Sequence, residues 1–459
     1  MIATGHGAEL PPGVARVLTG LRISPDDVSI LVQEVDADEP ILSHLPDTPR
    51  NPASVMKLVT TWSALEVLGP TYTWETEAYF GGDFDGRVLR GDLALKGYGD
   101  PFLVVEEFWK MLRVLRRRGL EEIEGDLLLD DSHFAITEDP PGAFDGDAYR
   151  TYNVVPNALL ANFKAVQFQF FADPVNRRVQ IATDPALSNL DIRNRIELVD
   201  GPCRGFQAGI SFNVEDPETI ARVIFEGQFS RSCNVYTMNR TVLQHDTYLF
   251  GLFDSLWTEL GGKLRGGMRN GVIGDQHRRV LTWRSASLAD LIRDINKNSN
   301  NVMTRQLIYT LGATMAGPPG TREAGVQVVR DFLSRRGLDI APLVLVNGAG
   351  LSRDERLSAR LLADMLRQAK RSPFAAEFVS SLSLGGLDGT TRRRFNGDNR
   401  GGQMHLKTGR LDHVSALAGY VHAADGRTYA MAIFGNFENA HRGPGQEIEE
   451  AVVQWVHSL

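Results

Sequence analysis

A chain of 459 residues is too long for one ordinary hydrophobic core and fits two or three domains. Its 42% hydrophobic and 23% charged residues are those of a soluble globular protein, and 57 acidic against 49 basic residues leave a formal net charge of −8. That balance, with no long basic block, argues against nucleic-acid binding, and the lack of a long uninterrupted apolar run argues against a membrane-spanning helix.

The first residues, Met1-Ile2-Ala3-Thr4-Gly5-His6-Gly7, have neither the basic start nor the apolar centre of a signal peptide, which leaves a cytoplasmic protein or a processed export product. Val28 to Val35 is mostly apolar and β-branched, turns at Asp36-Ala37-Asp38-Glu39-Pro40 and re-enters at Ile41-Leu42, the pattern of an antiparallel pair. A helix follows: Asn51 can cap it, Pro52 suits its first position and Gly69-Pro70 stops it. Ser54 and Lys57 lie three residues apart on that helix and share a face. At the positive helix end, with an amine in reach, a serine can lose its proton and become a nucleophile. Such pairs also occur on solvated helix faces, so this one needs partners elsewhere in the chain.

From about residue 76 to 284 the chain alternates strand-like runs with Gly, Pro and Asp turns. Examples are Val88 to Leu95, Gly125 to Asp130 and Val166 to Phe170. One long helix is expected here, Val104 to Gly119, with Arg116-Arg117-Arg118 at its negative end. The Gly-Asp pairs at 91 and 125 suggest two similar hairpins. Cys203 and Cys233 can either close a disulfide, contributing roughly 3–4 kcal/mol in the chain-entropy model, or be two unrelated thiols.

Helical periodicity returns at Ser287, where Ser287 and Asp290 form a capping box. That helix stops at Lys297-Asn298-Ser299-Asn300-Asn301, and further helices run from Val302 towards Gly312, from Arg322 to Arg335 and from Ser358 to Lys370. Met404 to Gly409 reads as a strand, Val414 to Val421 and Tyr429 to Gly435 as a hairpin across Asp425-Gly426, and Glu447 to His457 as an amphipathic helix. The strands before Ser54 lack nearby partners other than the C-terminal hairpin. Residues 1–75 and 285–459 are therefore expected to form one α/β domain, with 76–284 inserted into it.

Three short motifs now stand in order: Ser54-Val55-Met56-Lys57, Ser299-Asn300-Asn301 and Lys407-Thr408-Gly409. Acyl transfer from an amide needs a nucleophile, a base, an acid for the departing amine and donors for the oxyanion. Lys57 can act as base if desolvation or the nearby charge of Lys407 keeps it largely neutral. Ser299 can pass a proton between Lys57 and the leaving amine, and Asn301 can hold the Lys57 ammonium and a substrate amide. Thr408 offers a hydroxyl to a carboxylate and Lys407 attracts that anion, so the set favours a substrate with a free C-terminal carboxylate.

These motifs are those of penicillin-binding proteins and class A β-lactamases. The likeness extends through Gly97-Tyr98-Gly99-Asp100-Pro101, Gly125 to Ser132, Tyr152-Asn153, Asn347 to Arg353 and Leu387-Asp388-Gly389-Thr390. Over residues 52 to 409 the chain resembles the type-4, low-molecular-mass class C penicillin-binding proteins. These are D-alanyl-D-alanine carboxypeptidases and endopeptidases of the bacterial periplasm or cell wall. The resemblance implies a penicillin-binding/β-lactamase-like domain, an antiparallel sheet flanked by helices, with two nested domains in the insertion. It implies an acyl-enzyme on Ser54, peptidoglycan stem peptides as substrates and β-lactams as covalent inhibitors. It also implies a periplasmic location, despite the missing signal peptide.

By the same resemblance, the backbone N–H groups of Ser54 and Arg410 form the oxyanion hole and Gly409 lies in the substrate-binding strand. Asp147 with Tyr152 would bind the side-chain ammonium of a diaminopimelate-type peptide, Arg353 would reach a substrate carboxylate, and Leu411 would line the same pocket. Plain structural roles, a turn for Asp147 and a loop brace for Arg353, compete with these. Ser-Asn-Asn stands where the family pattern often has Ser-Asp-Asn; the middle residue points elsewhere in the family. No Glu-x-x-x-Asn deacylating element is found, which argues against a class A β-lactamase.

Neither cofactor nor metal is expected, because the histidines are scattered and two cysteines make no four-ligand set. His405 and His413 flank the Lys407 strand and are read as surface or core residues. Arg392-Arg393-Arg394 could serve a phosphate or a carboxylate. Association with a membrane surface and homodimerisation stay open. The competing functions are a class C-like β-lactamase or esterase, which normally has Tyr-x-Asn as its second motif, and a non-catalytic penicillin sensor or wall-binding module.

Overall fold

The early β-branched run forms strand β1 (Val28–Glu34), which pairs antiparallel with β2 (Leu42–His44). Its other neighbour is the distant segment Thr428–Asn436, with Ile30 opposite Ile433. Here and below, the computed structural model describes residues 9–459 except 174, 204, 206–208, 217 and 396–400. The stretch 1–7, read for signal-peptide character, lies outside the described residues. Two compact units result, Met1–Tyr72 with Ala286–Leu459, and Thr73–Ser285.

In the first unit, β3 (Ser383–Leu384), β4 (Met404–Leu411), β5 (Val414–His422) and β6 (Thr428–Asn436) complete a six-stranded antiparallel sheet ordered β3-β4-β5-β6-β1-β2. One face carries α1 (Pro12–Leu21) and the C-terminal helix, whose Val14, Leu18, Val452 and Val456 pack with Ile30, Leu406, Leu417 and Ile433. The next helices in chain order are α2 (Met56–Leu68), α3 (Leu288–Asn298), α4 (Asn301–Ala316), α5 (Arg322–Arg335), α6 (Ala359–Lys370) and α7 (Ala375–Ser381); the C-terminal helix is α8 (Pro444–His457). The α6 helix packs on β1 and β6, while α2 is buried from Met56 through Leu65 among α3, α4 and α5. A helix enclosed on all sides can hold a polar residue only where it has a partner, which bears directly on Lys57. The capping box at Ser287 forms: its hydroxyl accepts the Asp290 N–H at 3.3 Å and donates to the Asp290 carboxylate at 2.6 Å.

The second unit contains a seven-stranded sheet and two three-stranded sheets around a core that includes Phe168, Phe170, Phe225 and Trp257. Three details refine the sequence reading. The Gly-Asp pairs at 91 and 125 do not make similar hairpins. They lie side by side, Gly125 N–H donating to Gly91 O at 3.1 Å and Asp126 N–H to the Asp92 carboxylate at 2.7 Å. A Cβ on Gly125 would sit 2.5 Å from the Gly91 carbonyl carbon, so this approach requires glycine. A second long helix, His245–Glu259, was not expected. It lacks a side-chain N-cap and is buried through Thr247, Leu249, Leu252, Phe253 and Trp257, so neither a cap nor a clear apolar stripe marks it in the sequence. Finally, Cys203 and Cys233 are joined by a disulfide across 30 residues.

Candidate active site

The segment before α2 is a 3-10 turn, Ala53–Val55, so Ser54 precedes the α-helix rather than lying within it. The N-cap position of this turn is Pro52, which offers no side-chain cap, rather than the expected Asn51; Asn51 sits one residue earlier, its side-chain oxygen accepting the Ala53 N–H at 2.9 Å. Ala53 has φ +44°, a left-handed conformation costly for a residue with a Cβ. Gly350, at φ +79°, packs against this turn so tightly that a Cβ there would fall 1.9 Å from Ala53 O. The turn holding Ser54 is thus fixed by contact with the Asn347–Leu351 loop.

Lys57 is wholly buried and its amine has three neighbours: Ser54 Oγ at 3.1 Å, Asn301 Oδ1 at 2.6 Å, and Ala349 O. Burial first, then the charge of Lys407, pulls this amine well below its ordinary range, with Glu355 pushing it back up. Lys407 is also wholly buried, and burial lowers it to about 7. Its amine donates to Ser299 Oγ at 2.9 Å and to Thr408 O at 2.7 Å.

The second motif sits at a helix junction. Ser299 takes a left-handed conformation, φ 57°, as the C-cap of α3, and Asn300 caps α4 by accepting the Met303 N–H at 3.1 Å. Asn and Asp cap equally well, which is why the middle position tolerates Asn. Asn301, the first residue of α4, is thereby aimed at Lys57.

Strand β4 supplies the third wall. A Cβ on Gly409 would lie 2.5 Å from Pro52 O and 3.1 Å from Val55 N, so this strand passes the Ser54 turn backbone to backbone. The Thr408 hydroxyl lies 2.8 Å from that of Thr390, in the Asp388-Gly389-Thr390 segment. Ser54, Ser299, Thr390, Thr408, Arg410 and His441 line one cleft of about 330 Å³. The structure therefore brings Ser54, Lys57, Ser299, Asn301, Lys407, Thr408, Gly409 and Arg410 together.

The remaining expected site residues sit differently. Arg353 donates from Nη1 to Asp412 O at 3.1 Å, and Leu411 is half-buried at the end of β4, opposite Val414. Asp147 and Tyr152 belong to the second unit. There the Asp147 carboxylate accepts from Arg150 Nε at 2.6 Å, and the Tyr152 hydroxyl donates to Asp145 at 2.5 Å.

One neighbour of Lys57 escaped the sequence reading. Glu355 is wholly buried, one carboxylate oxygen accepting the Asn347 N–H at 3.1 Å while the other has no hydrogen-bond partner among the described residues. Burial pushes its carboxyl up to about 7, against the pull of the Asn347 N–H and the Lys57 charge. An acidic residue just after a Gly-Leu-Ser-Arg segment reads as a side chain exposed to water, and only the fold reveals it buried near Lys57. Among the described residues no group of three or more His, Cys, Asp or Glu could hold a metal ion.

A family model described as D-Ala-D-Ala carboxypeptidase 3 (S13) matches residues 12–459. The chain belongs to this family. A D-alanyl-D-alanine carboxypeptidase from an Actinomadura species is 30% identical over 403 residues, 86% of this chain and 74% of the relative. The structure of penicillin binding protein 4 from Haemophilus influenzae superposes with a TM-score of 0.80 at 20% identity, covering 97% of this chain and 99% of the other. A predatory endopeptidase of Bdellovibrio bacteriovorus, solved acylated by penicillin G, gives a TM-score of 0.54 at 14% identity over 94% of this chain and 92% of its own. The fold is thus the penicillin-binding/β-lactamase-like one, and the chain is a serine peptidase of the D-Ala-D-Ala carboxypeptidase family.

Proposed function

We propose that Ser54 attacks the carbonyl preceding the terminal residue of a peptidoglycan stem peptide, and that Lys57 takes the Ser54 proton. The observation that carries this is the buried Lys57 amine 3.1 Å from Ser54 Oγ, its pKa lowered by burial. The Ser54 and Arg410 N–H groups receive the oxyanion. Because Lys407 donates to Ser299 Oγ, the Ser299 hydroxyl hydrogen is free to turn toward the leaving amine, which departs as D-alanine or as the amine of a cross-linked peptide. The proton lost to Lys57 returns through Ser299, and water then hydrolyses the acyl-enzyme. β-Lactams enter by the same attack, with ring opening in place of amine release.

In this reading the first unit is the peptidase domain. Asp147 and Tyr152 recognise the ammonium of a diaminopimelate-type side chain, for which Asp147 must exchange its contact with Arg150. Arg353 and Leu411 contact the acyl part of the substrate. Export fits the Cys203–Cys233 disulfide, since such bonds persist in oxidising compartments. Among the described residues no helix is long and apolar enough to cross a membrane. Purified protein incubated with a muropeptide pentapeptide and with a cross-linked dimer is expected to release D-alanine from the first and monomers from the second. Release of neither product, in a protein that remains folded, would refute the assignment.

A further inference from the structure

Resting on that serine-peptidase reading and its use of the Arg410 N–H, we infer that His441 and His413 form a pH-sensitive latch that positions the oxyanion end of β4. Strand β3 pairs with β4 only at His405 and Leu406, so from Lys407 onward β5 is the one strand neighbour of β4 among the described residues. The end that carries Arg410 is therefore held by β5 and by the turn joining the two strands. That turn is two residues long, Asp412-His413, with Leu411 opposite Val414. His413 takes φ 65°, a left-handed conformation usually left to Gly or Asn in such turns. A histidine there needs an anchor, and residues 437–441 provide it.

Three hydrogen bonds tie His413 to that segment. Its backbone N–H donates to His441 Nδ1 at 2.9 Å, its ring Nδ1 accepts the Asn439 N–H at 3.1 Å, and its carbonyl accepts the Phe437 N–H at 3.1 Å. The two rings meet edge to face, their centroids 5.7 Å apart. Both Nδ1 atoms act as acceptors, so each neutral ring carries its hydrogen on Nε2. In His441 that hydrogen is within reach of Asp412, whose carboxylate lies 3.4 Å from Nε2.

Protonating His441 would add a hydrogen at Nδ1, against the His413 N–H. Two donors cannot share that contact, so the bond breaks and the turn loses its anchor. The surroundings set the pH at which this happens. The His441 side chain is only 14% exposed, and burial is the largest influence, lowering its pKa. Asp412 raises it but is shared with Arg353 at 3.5 Å, and Arg442, Arg410 and His413 lower it again. Arg442 comes closest, its Nε 3.4 Å from His441 Nε2. Helix α8 packs against the Ala440–Arg442 turn, but its Glu449 and Glu450 are paired with Arg394 at 2.8 and 3.2 Å. Two further acids stand nearby, Glu447 in the first turn of α8 and Glu438, which accepts from Asn439 Nδ2 at 3.5 Å. The balance holds His441 below the ordinary histidine range, so the latch is closed at neutral pH and opens as the pH falls.

The test follows benzylpenicillin acylation, by intact-protein mass, in the native protein, His441→Asn and His441→Leu. Asparagine Oδ1 replaces Nδ1 as the acceptor but does not titrate, whereas leucine offers no acceptor. At about pH 8, His441→Leu is expected to react about three- to tenfold more slowly, the worth of one hydrogen bond, and His441→Asn to recover most of that loss. The ratio of native to His441→Asn rates cancels the Lys57 limb, which both proteins share. This ratio should fall at least about threefold between about pH 8 and about pH 5, as the native imidazole alone becomes charged. A ratio constant with pH, a folded His441→Leu as fast as the native chain, or His441→Asn as slow as a folded His441→Leu would each overturn the inference alone. If His441→Leu does not fold, the ratio decides by itself. A native chain that benzylpenicillin does not label would overturn the peptidase reading and the inference together.

Discussion

The Lys57 amine lies 3.1 Å from Ser54 Oγ, and its two other contacts, Asn301 Oδ1 and Ala349 O, are both carbonyl oxygens. Carbonyl oxygens only accept, so they take both hydrogens of a neutral amine and leave its lone pair turned to the Ser54 proton. The same two oxygens then receive the ammonium once it forms. One cage therefore serves both states of the base, which is what a reversible proton transfer requires.

Removing that base is the first expectation. Lys57→Ala should slow acylation by benzylpenicillin about 10²–10⁴-fold, the usual worth of a positioned base. Lys57→Arg should be no better, because a guanidinium has no lone pair to offer. Rates of mass gain on the intact protein give the answer, and a loss under about threefold would remove Lys57 from the mechanism.

The pH dependence should move in opposite directions for two neighbours. Acylation needs neutral Lys57, so its rate rises with pH through the Lys57 pKa. Lys407 lowers that pKa, so Lys407→Ala should shift the rising limb to higher pH. Glu355 raises it, so Glu355→Gln should shift the limb to lower pH. Acylation rates across a pH series distinguish the cases; shifts in the same direction would contradict this electrostatic account.

Gly350→Ala tests the support of the nucleophile. The residue sits at φ +79° and its new Cβ would fall 1.9 Å from Ala53 O. We expect a stability loss of at least about 1–3 kcal/mol in chemical denaturation, from the backbone conformation alone. Acylation should slow as well, because relief of the contact moves the Ser54 turn. A variant of native stability and rate would show that this contact does not fix Ser54.

Much of this site is legible in the sequence because it is built from short local signals. The Ser54 turn is preceded by an Asn51 turn bond, the Ser299 junction is marked by Asn-rich helix ends, and Lys407 lies in a strand whose partner is joined by a strong turn at Asp425-Gly426. The pairing of β1 with β6 was inferable only from the β1–β2 pair lacking a further partner nearby in sequence. What stayed hidden depends on burial. Glu355 looks like any exposed acid until the fold encloses it. Helix His245–Glu259 was missed because it buries more than one face, leaving no single stripe to read.

The disulfide offers a test of the insertion by itself. Linking two cysteines 30 positions apart constrains the unfolded chain by roughly 3–4 kcal/mol in the entropic account. Cys203→Ser/Cys233→Ser should lower the unfolding midpoint of the Thr73–Ser285 unit accordingly. The benzylpenicillin acylation rate, set by residues of the other unit, should change little. A midpoint unaffected by the double substitution would remove the bond as a source of stability.

The central claim, that Ser54 is the acylated nucleophile, is tested most directly by intact-protein mass after incubation with benzylpenicillin. The native chain should gain the mass of one whole penicillin, and Ser54→Ala should gain none. No adduct on the native chain, or an adduct that survives Ser54→Ala, would contradict the account.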